Sequence, residues 1–383
     1  MKLFKKLAAS MMCLLLAVVV FAGCSSQFKQ AKFSVPNDDK FEQVTTDEGY
    51  VEALQLITKQ ASTFTDEEGN VVFEGNGTLE ALIRSAKLSV TISKAEAPEN
   101  EDEVVDPEAV TEDGGSIMGD IMESIAGFLA NTDASIEFTG VVKLSDNSFQ
   151  LALELKADLT VDLPTEETNE ETGEPVLKAY TFKAGAKGYY KDGYIYLDAS
   201  ASGNGNSAKA AIKVSAEELD ILPSEEEICQ GANESLFAMV NRRLAELSEA
   251  LKTEEGRAEV LDTVADKDDD GNYYAELYKY VNGSKTYYKL VLTEEAAEFL
   301  FDGLEIPCVI YMEFNNDKLV KVSAYANIMG LYNVQVVLEK YTSGIKFPSF
   351  KNYKDASDEG VMAKVEGDFY TVFAPLVDIF MAR

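Results

Sequence analysis

The chain has 383 residues, which is enough for two domains or one large one. It holds 67 acidic against 34 basic residues, and a field of this sign repels nucleic acid and anionic lipid headgroups, so neither is a predicted partner. Histidine is absent, which excludes Ser-His-Asp and Cys-His nucleophile pairs and His-ligated zinc. We therefore predict that the protein is not an enzyme, with carboxylate or lysine chemistry as the remaining catalytic alternative.

Residues 1–23 have the pattern of a signal peptide. Three lysines near the start precede a run of about 15 apolar residues, Leu7 to Phe21, which is too short to span a bilayer comfortably. The ending Phe21-Ala22-Gly23-Cys24 resembles the lipobox of bacterial lipoproteins, with Phe in place of the usual Leu. The resemblance implies that Cys24 becomes the first residue and carries a diacylglyceryl group, and fatty acyl chains such as palmitate would anchor it stably. The alternative is an ordinary secretory signal with an incidental cysteine.

This anchor predicts a location on the outer side of the cytoplasmic membrane. Removing the three signal lysines leaves 31 basic against 67 acidic residues, a net charge near −36. Besides Cys24, only Cys229 and Cys308 remain, and the sequence does not decide whether they pair. We predict a polar tether over residues 24–39, an ectodomain over 40–345 and a C-terminal segment with a helix over 346–383.

Alternation of apolar and polar residues dominates the ectodomain. From Phe149 to Leu163 the odd positions are apolar and most even positions are polar, which is typical of a half-buried antiparallel strand of about 50 Å. Residues 135–144 alternate in the same way, with the turn Ser145 to Ser148 between the two strands. A further strand from Tyr180 to Tyr190 turns at Asp192-Gly193 and returns.

Other strand-like runs continue this pattern along the chain, some joined by turn dipeptides such as Asn282-Gly283. A faint echo between residues 209–222 and 287–300, each passing from a strand pattern through Ser or Thr and two glutamates into a helix pattern, leaves open a division into two halves near residue 223. The predicted strands are 78–94, 208–214, 273–281, 286–292, 309–314, 319–328 and 332–341.

Helices are predicted to cover the apolar side of these strands. The clearest lies in ESLFAMVNRRLAELSEALK, where leucine and valine recur at three- and four-residue spacing. Two acidic inserts, 96–115 and 165–175, lack the apolar residues needed for a core and are predicted to be mobile loops. The apolar stripe comprises Leu236, Val240, Leu244, Leu247 and Leu251; shorter helices are predicted at 117–130, 215–221 and 293–303 and near the C-terminus.

Long amphipathic strands covered by helices, behind a lipobox, resemble the half-barrel lipoproteins. This superfamily includes the LolA-like periplasmic carriers and the mycobacterial lipid-binding lipoproteins. The segment GYYKDGYIYLDASASG, residues 188–203, is similar to a hairpin in many lipoproteins of Gram-positive bacteria. The resemblance covers roughly residues 130 to 345. It implies an α+β fold in which a large curved antiparallel sheet carries helices on its apolar face, and it implies acyl-chain binding between sheet and helices.

The stretch DKDDDGN, residues 266–272, begins like a calcium loop of the EF-hand type, with Asp266, Asp268 and Asp270 two apart and then Gly271. Such a loop needs a glutamate at its twelfth position, which here is Leu277, and the segment that follows alternates like a strand. We therefore interpret it as a turn and predict no metal site, although a calcium loop of another type remains an alternative.

Six tyrosines crowd one predicted hairpin, which suggests either a stacking platform for sugar or peptide or ordinary cross-strand pairing. Strand propensity favours the pairing. The sequence also lacks tryptophan, which weakens the sugar interpretation further. The tyrosines are Tyr273, Tyr274, Tyr278, Tyr280, Tyr287 and Tyr288.

Small residues line one predicted strand, where Phe182 is followed on the same side by Ala184, Ala186 and Gly188. They favour close packing of a helix, because protein interiors are dense, and a cavity for an acyl chain is the alternative. We predict a non-catalytic lipoprotein, without cofactor, that takes part in envelope interaction or holds an apolar small molecule. A lipid or acyl-chain carrier is the alternative that the half-barrel resemblance adds.

Overall fold

A computed structural model describes residues 26–65, 71–95, 132–168, 175–216, 224–264, 275–292, 308–328 and 330–381. Thirteen strands form one open sheet in the order β1-β10-β11-β12-β13-β14-β4-β5-β6-β7-β8-β9-β15, and β2 pairs with β3 separately. The strands are β1 Glu42–Gln43, β2 Phe64–Thr65, β3 Val71–Phe73, β4 Ala86–Lys94, β5 Thr132–Leu144, β6 Phe149–Thr168, β7 Pro175–Lys191, β8 Tyr194–Gly203, β9 Asn206–Ser215, β10 Ala275–Asn282, β11 Lys285–Leu292, β12 Cys308–Asn315, β13 Lys318–Ile328, β14 Tyr332–Lys340 and β15 Lys354–Asp355.

Two groups of strands, β4 to β9 and β10 to β14, each follow chain order and meet where β14 pairs with β4. Each pair inside the groups is antiparallel, and only β15 runs parallel to its neighbour, β9. The predicted turn at Asp192-Gly193 is confirmed, and both residues have positive φ, as a tight hairpin turn with right-handed twist requires. The predicted α+β class with a large antiparallel sheet is likewise confirmed.

The sheet has an apolar face and a polar face, because side chains alternate along every strand and the register places apolar residues beside apolar residues on neighbouring strands. On β6 the apolar face carries Leu151, Leu153 and Leu155, whereas the polar face carries Glu154 and Lys156. The alternation that predicted this strand from 149 to 163 therefore extends across its neighbours as well.

Six α-helices are present in the described ranges. Those that make extensive contact with the sheet lie on its apolar face. α1 and α2 pack over β10 to β14, and α6 packs over β8 and β9. Hydrophobic burial therefore fixes the helices to the side that the alternation pattern made apolar. The helices are α1 Asp47–Thr58, α2 Thr78–Ile83, α3 Glu225–Gln230, α4 Ala238–Ala250, α5 Glu254–Val264 and α6 Glu359–Met381, and a π-helical segment Gly231–Phe237 joins α3 to α4.

The predicted strand at 78–94 is wrong over its first part, since residues 78–83 form α2 and the strand begins at Ala86. Gly77, with φ of 66°, turns the chain into the helix, and Leu79 and Leu82 then point together into the core. The loop predicted at 165–175 is also too long, because β6 continues to Thr168 and β7 begins at Pro175.

The predicted helical stripe from Leu236 to Leu251 is wrong at its start. Leu236 is 40% exposed, and Phe237 is buried instead, with 4% of its surface accessible. The π-helical segment that ends at Phe237 has a wider turn than an α-helix, so it shifts which residue faces inward. From Leu244 onward the stripe packs as predicted, and Leu251 is buried.

Two irregular segments cross the polar face. The N-terminal strap, residues 26–36, belongs to the segment for which we expected a polar tether, and it lies against the sheet with Phe28 only 1% exposed. The C-terminal strap, residues 340–354, runs from the end of β14 to β15 and packs beside the N-terminal strap. The signal peptide, Cys24, the insert at 96–115, and the predicted helices at 117–130 and 293–303 lie outside the described residues.

Candidate functional site

A row of side chains runs in register across the middle of the apolar face. Leu155 on β6 pairs with Phe138, which pairs with Val90, and the series continues into the second group of strands through β14. Strands lie about 4.8 Å apart, so the six steps from β6 to β11 make this row about 29 Å long. The row consists of Leu155, Phe138, Val90, Val336, Ala324, Ile310 and Leu290.

Two further apolar rows flank the first, because side chains on one face repeat every second residue. Most of the aliphatic side chains in the three rows are only half-buried. A broad, continuous apolar surface that keeps part of its area accessible is typical of a site where apolar partners bind. The flanking rows are Leu153, Gly140, Leu88, Leu338, Val322 and Met312, and Ala157, Ile136, Ile92, Val334, Ala326 and Cys308.

Helix α6 closes one end of this surface. The middle row and the row of Ala157 continue onto β7, β8 and β9 as alanines, and in the second of these Ala201 and Ala208 are buried beneath Val372 of the helix. The ring of Phe182 is fully buried and stacks on Phe373, with centroids 5.8 Å apart. Close packing against a helix is therefore found at Phe182, Ala201 and Ala208, while for Ala184, Ala186 and Gly188 it stays a prediction.

Helices α1 and α2 close the other end. Tyr50 and Leu56 of α1 and Leu82 of α2 belong to a buried cluster with Tyr288 and Phe314 of the sheet. At the outer edge, Lys279 lies on the apolar face but forms an ion pair of 2.8 Å with Glu52 of α1. Its charge is therefore neutralised. Leu290, Met312, Val322 and Leu338 pack against this cluster, so the rows are covered here, and their remaining half-buried side chains lie between the two packed ends.

Gln60 attaches the end of α1 to the sheet. Its side-chain nitrogen donates to the carbonyl oxygens of Leu56 at 2.6 Å and Asp317 at 2.9 Å, and its side-chain oxygen accepts from the Leu319 amide at 2.9 Å. Gln60 is 1% exposed, and a buried amide with these partners has few alternative arrangements. The position of α1 over the sheet is therefore well determined.

Neither cysteine of the described chain forms a disulfide. Cys229 is buried in α3, and Cys308 is half-buried in one of the flanking apolar rows. Burial raises the pKa of the Cys308 thiol to about 11. Its thiol is thus neutral near pH 7 and behaves as a small apolar side chain rather than a nucleophile.

The predicted tyrosine cluster is divided between the two faces. Tyr280 and Tyr287 pair across β10 and β11 on the polar face with stacked rings 5.8 Å apart, whereas Tyr288 is buried on the apolar face. Phe41 contacts Tyr280 from above, with ring centroids 6.0 Å apart. The cross-strand pairing interpretation is confirmed for Tyr280 and Tyr287, whereas Tyr278 and Tyr288 lie opposite lysines. Tyr273 and Tyr274 lie outside the described residues.

Asp266, Asp268 and Asp270 also lie outside the described residues, so the interpretation of DKDDDGN as a turn stays a prediction. Within the described ranges, acidic and cysteine side chains nowhere form a group of three or more that could hold a metal ion. No helix in those ranges is both long and apolar enough to cross a membrane. The half-buried apolar rows, which the alternation pattern predicted, are therefore the candidate site.

The chain matches no family model, and its sequence matches no curated protein. Among solved structures, the lipoprotein LppX of Mycobacterium tuberculosis aligns at 11% identity and a TM-score of 0.23, covering 78% of this chain and 99% of LppX. A beta-barrel-like protein of the domain of unknown function DUF1849, from Brucella abortus, aligns at 7% identity and a TM-score of 0.20, covering 67% and 96%. Both TM-scores are low, and neither likeness identifies a ligand for this chain.

Proposed function

We propose that this chain is a non-catalytic lipoprotein, anchored through Cys24 outside the cytoplasmic membrane, that holds an apolar ligand of acyl-chain type on the apolar face of its sheet. The observation that carries the proposal is the set of three aliphatic rows whose side chains are in register and only half-buried. Each square ångström of such surface removed from water contributes about 25 cal/mol, which favours occupation by an apolar molecule.

The dimensions of the surface suit an acyl chain. The middle row from Leu155 to Ile310, outside the buried cluster of α1 and α2, spans five strand steps and is about 24 Å long, whereas the ~30 Å hydrocarbon thickness of a bilayer is filled by two acyl chains end to end. A single fatty acyl chain therefore fits within the row, and a lipid with two chains fits across neighbouring rows. The absence of histidine and the neutral Cys308 thiol agree with holding rather than chemical conversion.

A fluorescent fatty acid tests the site directly. Ala324 lies in the middle row and is half-buried, so Ala324→Phe places a ring where the ligand would lie. We expect the wild-type protein to bind the probe and Ala324→Phe to bind at least about tenfold more weakly. The matched control is Ala179→Phe, the same change at an exposed position on the polar face. Equal binding by all three proteins, or none by the wild type, would contradict the proposal.

The anchor has its own test. If Cys24 carries the lipid, Cys24→Ala moves the protein from the membrane fraction to the medium or leaves the signal peptide uncleaved. Metabolic labelling with a fatty-acid analogue should mark the wild-type protein and not this variant. A wild-type protein that stays unlabelled would contradict the anchoring while leaving the apolar site open to the binding test.

A further inference from the structure

The two straps form one layer on the polar face. The side-chain nitrogen of Gln27 donates to the carbonyl oxygen of Lys346 at 3.1 Å, and the Lys346 amide donates back to the Gln27 side-chain oxygen at 2.6 Å. Phe28 of the N-terminal strap shares a buried cluster with Phe347 and Phe350 of the C-terminal strap. The straps therefore behave as a unit.

The N-terminal strap is also held by the sheet beneath it. Gln30 donates to the Phe138 carbonyl at 2.9 Å, and the Ala31 amide donates to the Ser89 hydroxyl at 3.0 Å. Further along, the Lys321 ammonium donates to two carbonyl oxygens of the strap, each at 3.1 Å. The chain is thus fixed to the protein body from residue 27 onward, and no long free segment separates that body from Cys24.

The C-terminal strap is fixed by aromatic contacts. The ring of Phe350 stacks on Tyr196 with centroids 3.7 Å apart, and the Tyr353 hydroxyl donates to Asp198 at 2.7 Å. The Lys191 ammonium lies 5.5 Å from the centre of the Phe347 ring. With its apolar side chains turned inward, this strap keeps Lys346 and Lys351 exposed to solvent.

The charge of the straps is opposite to that of the protein. They contain six lysines and no aspartate or glutamate, in a chain with 67 acidic residues. The sheet below adds further lysines as well as acidic groups, among them Glu154, Asp198, Glu339 and Asp355. Burial, with a smaller contribution from the Lys340 charge, lowers the pKa of Lys143. The strap lysines are Lys29, Lys32, Lys340, Lys346, Lys351 and Lys354.

Local charge decides contacts with a surface at physiological salt. The Debye length is about 8 Å, so a surface touching the straps interacts with their lysines while distant carboxylates are largely screened. The net negative charge of the whole chain, which argued against anionic headgroups, therefore does not decide the behaviour of this face.

The position of the anchor brings this face to the membrane. Cys24 precedes Gln27 by three residues, which span at most about 11 Å. A lipid group on Cys24 thus holds the first fixed residues of the strap within roughly that distance of the headgroups.

We propose that the strap layer lies flat on anionic phospholipid headgroups of the membrane to which Cys24 is attached. The inference rests on the proposed anchoring at Cys24. It orients the molecule, because the apolar face is on the other side of the sheet and is directed away from the bilayer. A ligand on that face is exchanged with the outside rather than with the anchoring leaflet.

Lysine labelling of the lipidated, mature protein tests this orientation. The protein is incorporated into vesicles of phosphatidylcholine, or of equal parts phosphatidylcholine and phosphatidylglycerol, and treated with an amine-reactive reagent before mass spectrometry. We expect labelling of Lys29, Lys346 and Lys351 to be at least about threefold slower on the anionic vesicles. Lys252, which follows α4, and Lys364 of α6 are internal controls on the apolar side of the sheet, and their labelling should not change.

Salt and charge reversal complete the test. At about 1 M salt, where the Debye length is about 3 Å, the protection should disappear. The double variant Lys346→Glu with Lys351→Glu should lose the protection of Lys29, whereas Lys364→Glu should keep it. Flotation of the vesicles shows whether the protein is attached to them. If the protein floats with both kinds of vesicle and is labelled equally on both, the docking is overturned and the anchor is not. A protein that floats with neither overturns the anchor and the docking together.

Discussion

The apolar face behaves differently under α6 and in its middle, although the same rows of side chains run through both regions. Under α6 the flanking row of Ala157 continues as the buried Ala201 and Ala208, whereas on β5, β4 and β14 the same row carries Ile136, Ile92 and Val334. Small side chains let a helix approach the sheet closely, and larger ones keep it away. The size of the residues along one row thus decides whether this face takes a helix of the protein or keeps surface for a ligand.

Removal of the Phe182 ring should show the largest difference between the two regions. Phe182 has no accessible surface and stacks on α6, so Phe182→Ala should lower the free energy of unfolding by about 3–5 kcal/mol. Leu155→Ala, in the half-buried middle, should cost less than Phe182→Ala, about 2 kcal/mol, because part of its surface is already accessible. Urea unfolding of both variants measures the difference, and equal losses would contradict the comparison.

Larger side chains should give the next largest difference in stability between the region under α6 and the middle of the apolar face. Ala208 is buried against α6, so Ala208→Phe should lower the free energy of unfolding by about 1–3 kcal/mol through overpacking. Ala186, at 8% exposure, should respond to Ala186→Phe in the same direction. Ala324→Phe in the middle should change stability by no more than about 0.5 kcal/mol. A large loss from Ala324→Phe would show that the middle rows are closed as well.

The α2 end should add a dependence on pH. Burial alone would raise the pKa of Glu80, but hydrogen bonds from Ser62 and Arg84 and the Arg84 charge lower it below its usual value. A lowered pKa in the folded state contributes stability above the unfolded pKa, near 4.5, that is lost as the pH falls through the folded value. We expect Glu80→Gln to cost about 1 kcal/mol at pH 7 and less at pH 3. A cost that does not change between the two pH values would contradict this account.

The smallest effect concerns the two thiols. Cys308 lies in a flanking row of the middle region, whereas Cys229 is buried in α3 away from it. Saturation with a fatty acid should slow the reaction of Cys308 with a thiol reagent by about twofold, which corresponds to about 0.4 kcal/mol. The rate at Cys229 serves as the control and should not change. If Cys229 were slowed and Cys308 were not, the ligand would bind away from the middle rows.

The sequence predicted the sheet well, because alternation over ten or more residues is a strong local signal. The strand from Phe149, the turn at Asp192-Gly193 and the helix around Leu244 all follow from periodicity and turn chemistry. The apolar rows follow in turn from the alternation, but their alignment across β14 and β4 depends on a pairing between distant segments that no local pattern reports.

The elements that were missed depend on tertiary contacts. Leu236 has the spacing of a buried residue, yet it lies within the π-helical segment, whose wider turn places Phe237 inward instead. There the Arg84 guanidinium lies 4.7 Å from the centre of the Phe237 ring. The N-terminal strap has the polar composition of a tether, yet the burial of Phe28 and hydrogen bonds to distant partners such as Lys346 and Ser89 fix it in place. Composition alone cannot report such partners.

The pairing of β14 with β4 has a consequence for how the chain folds. It joins Val90 to Val336, so the centre of the sheet closes only after almost the whole chain is available. A chain that emerges N-terminus first can form β4 to β9 long before β14 exists, and during that time the free edge of β4 can pair with another chain. Contacts of such high sequence separation also slow folding. A nascent or truncated chain that ends before Tyr332 therefore keeps nine residues of β4 open to intermolecular pairing.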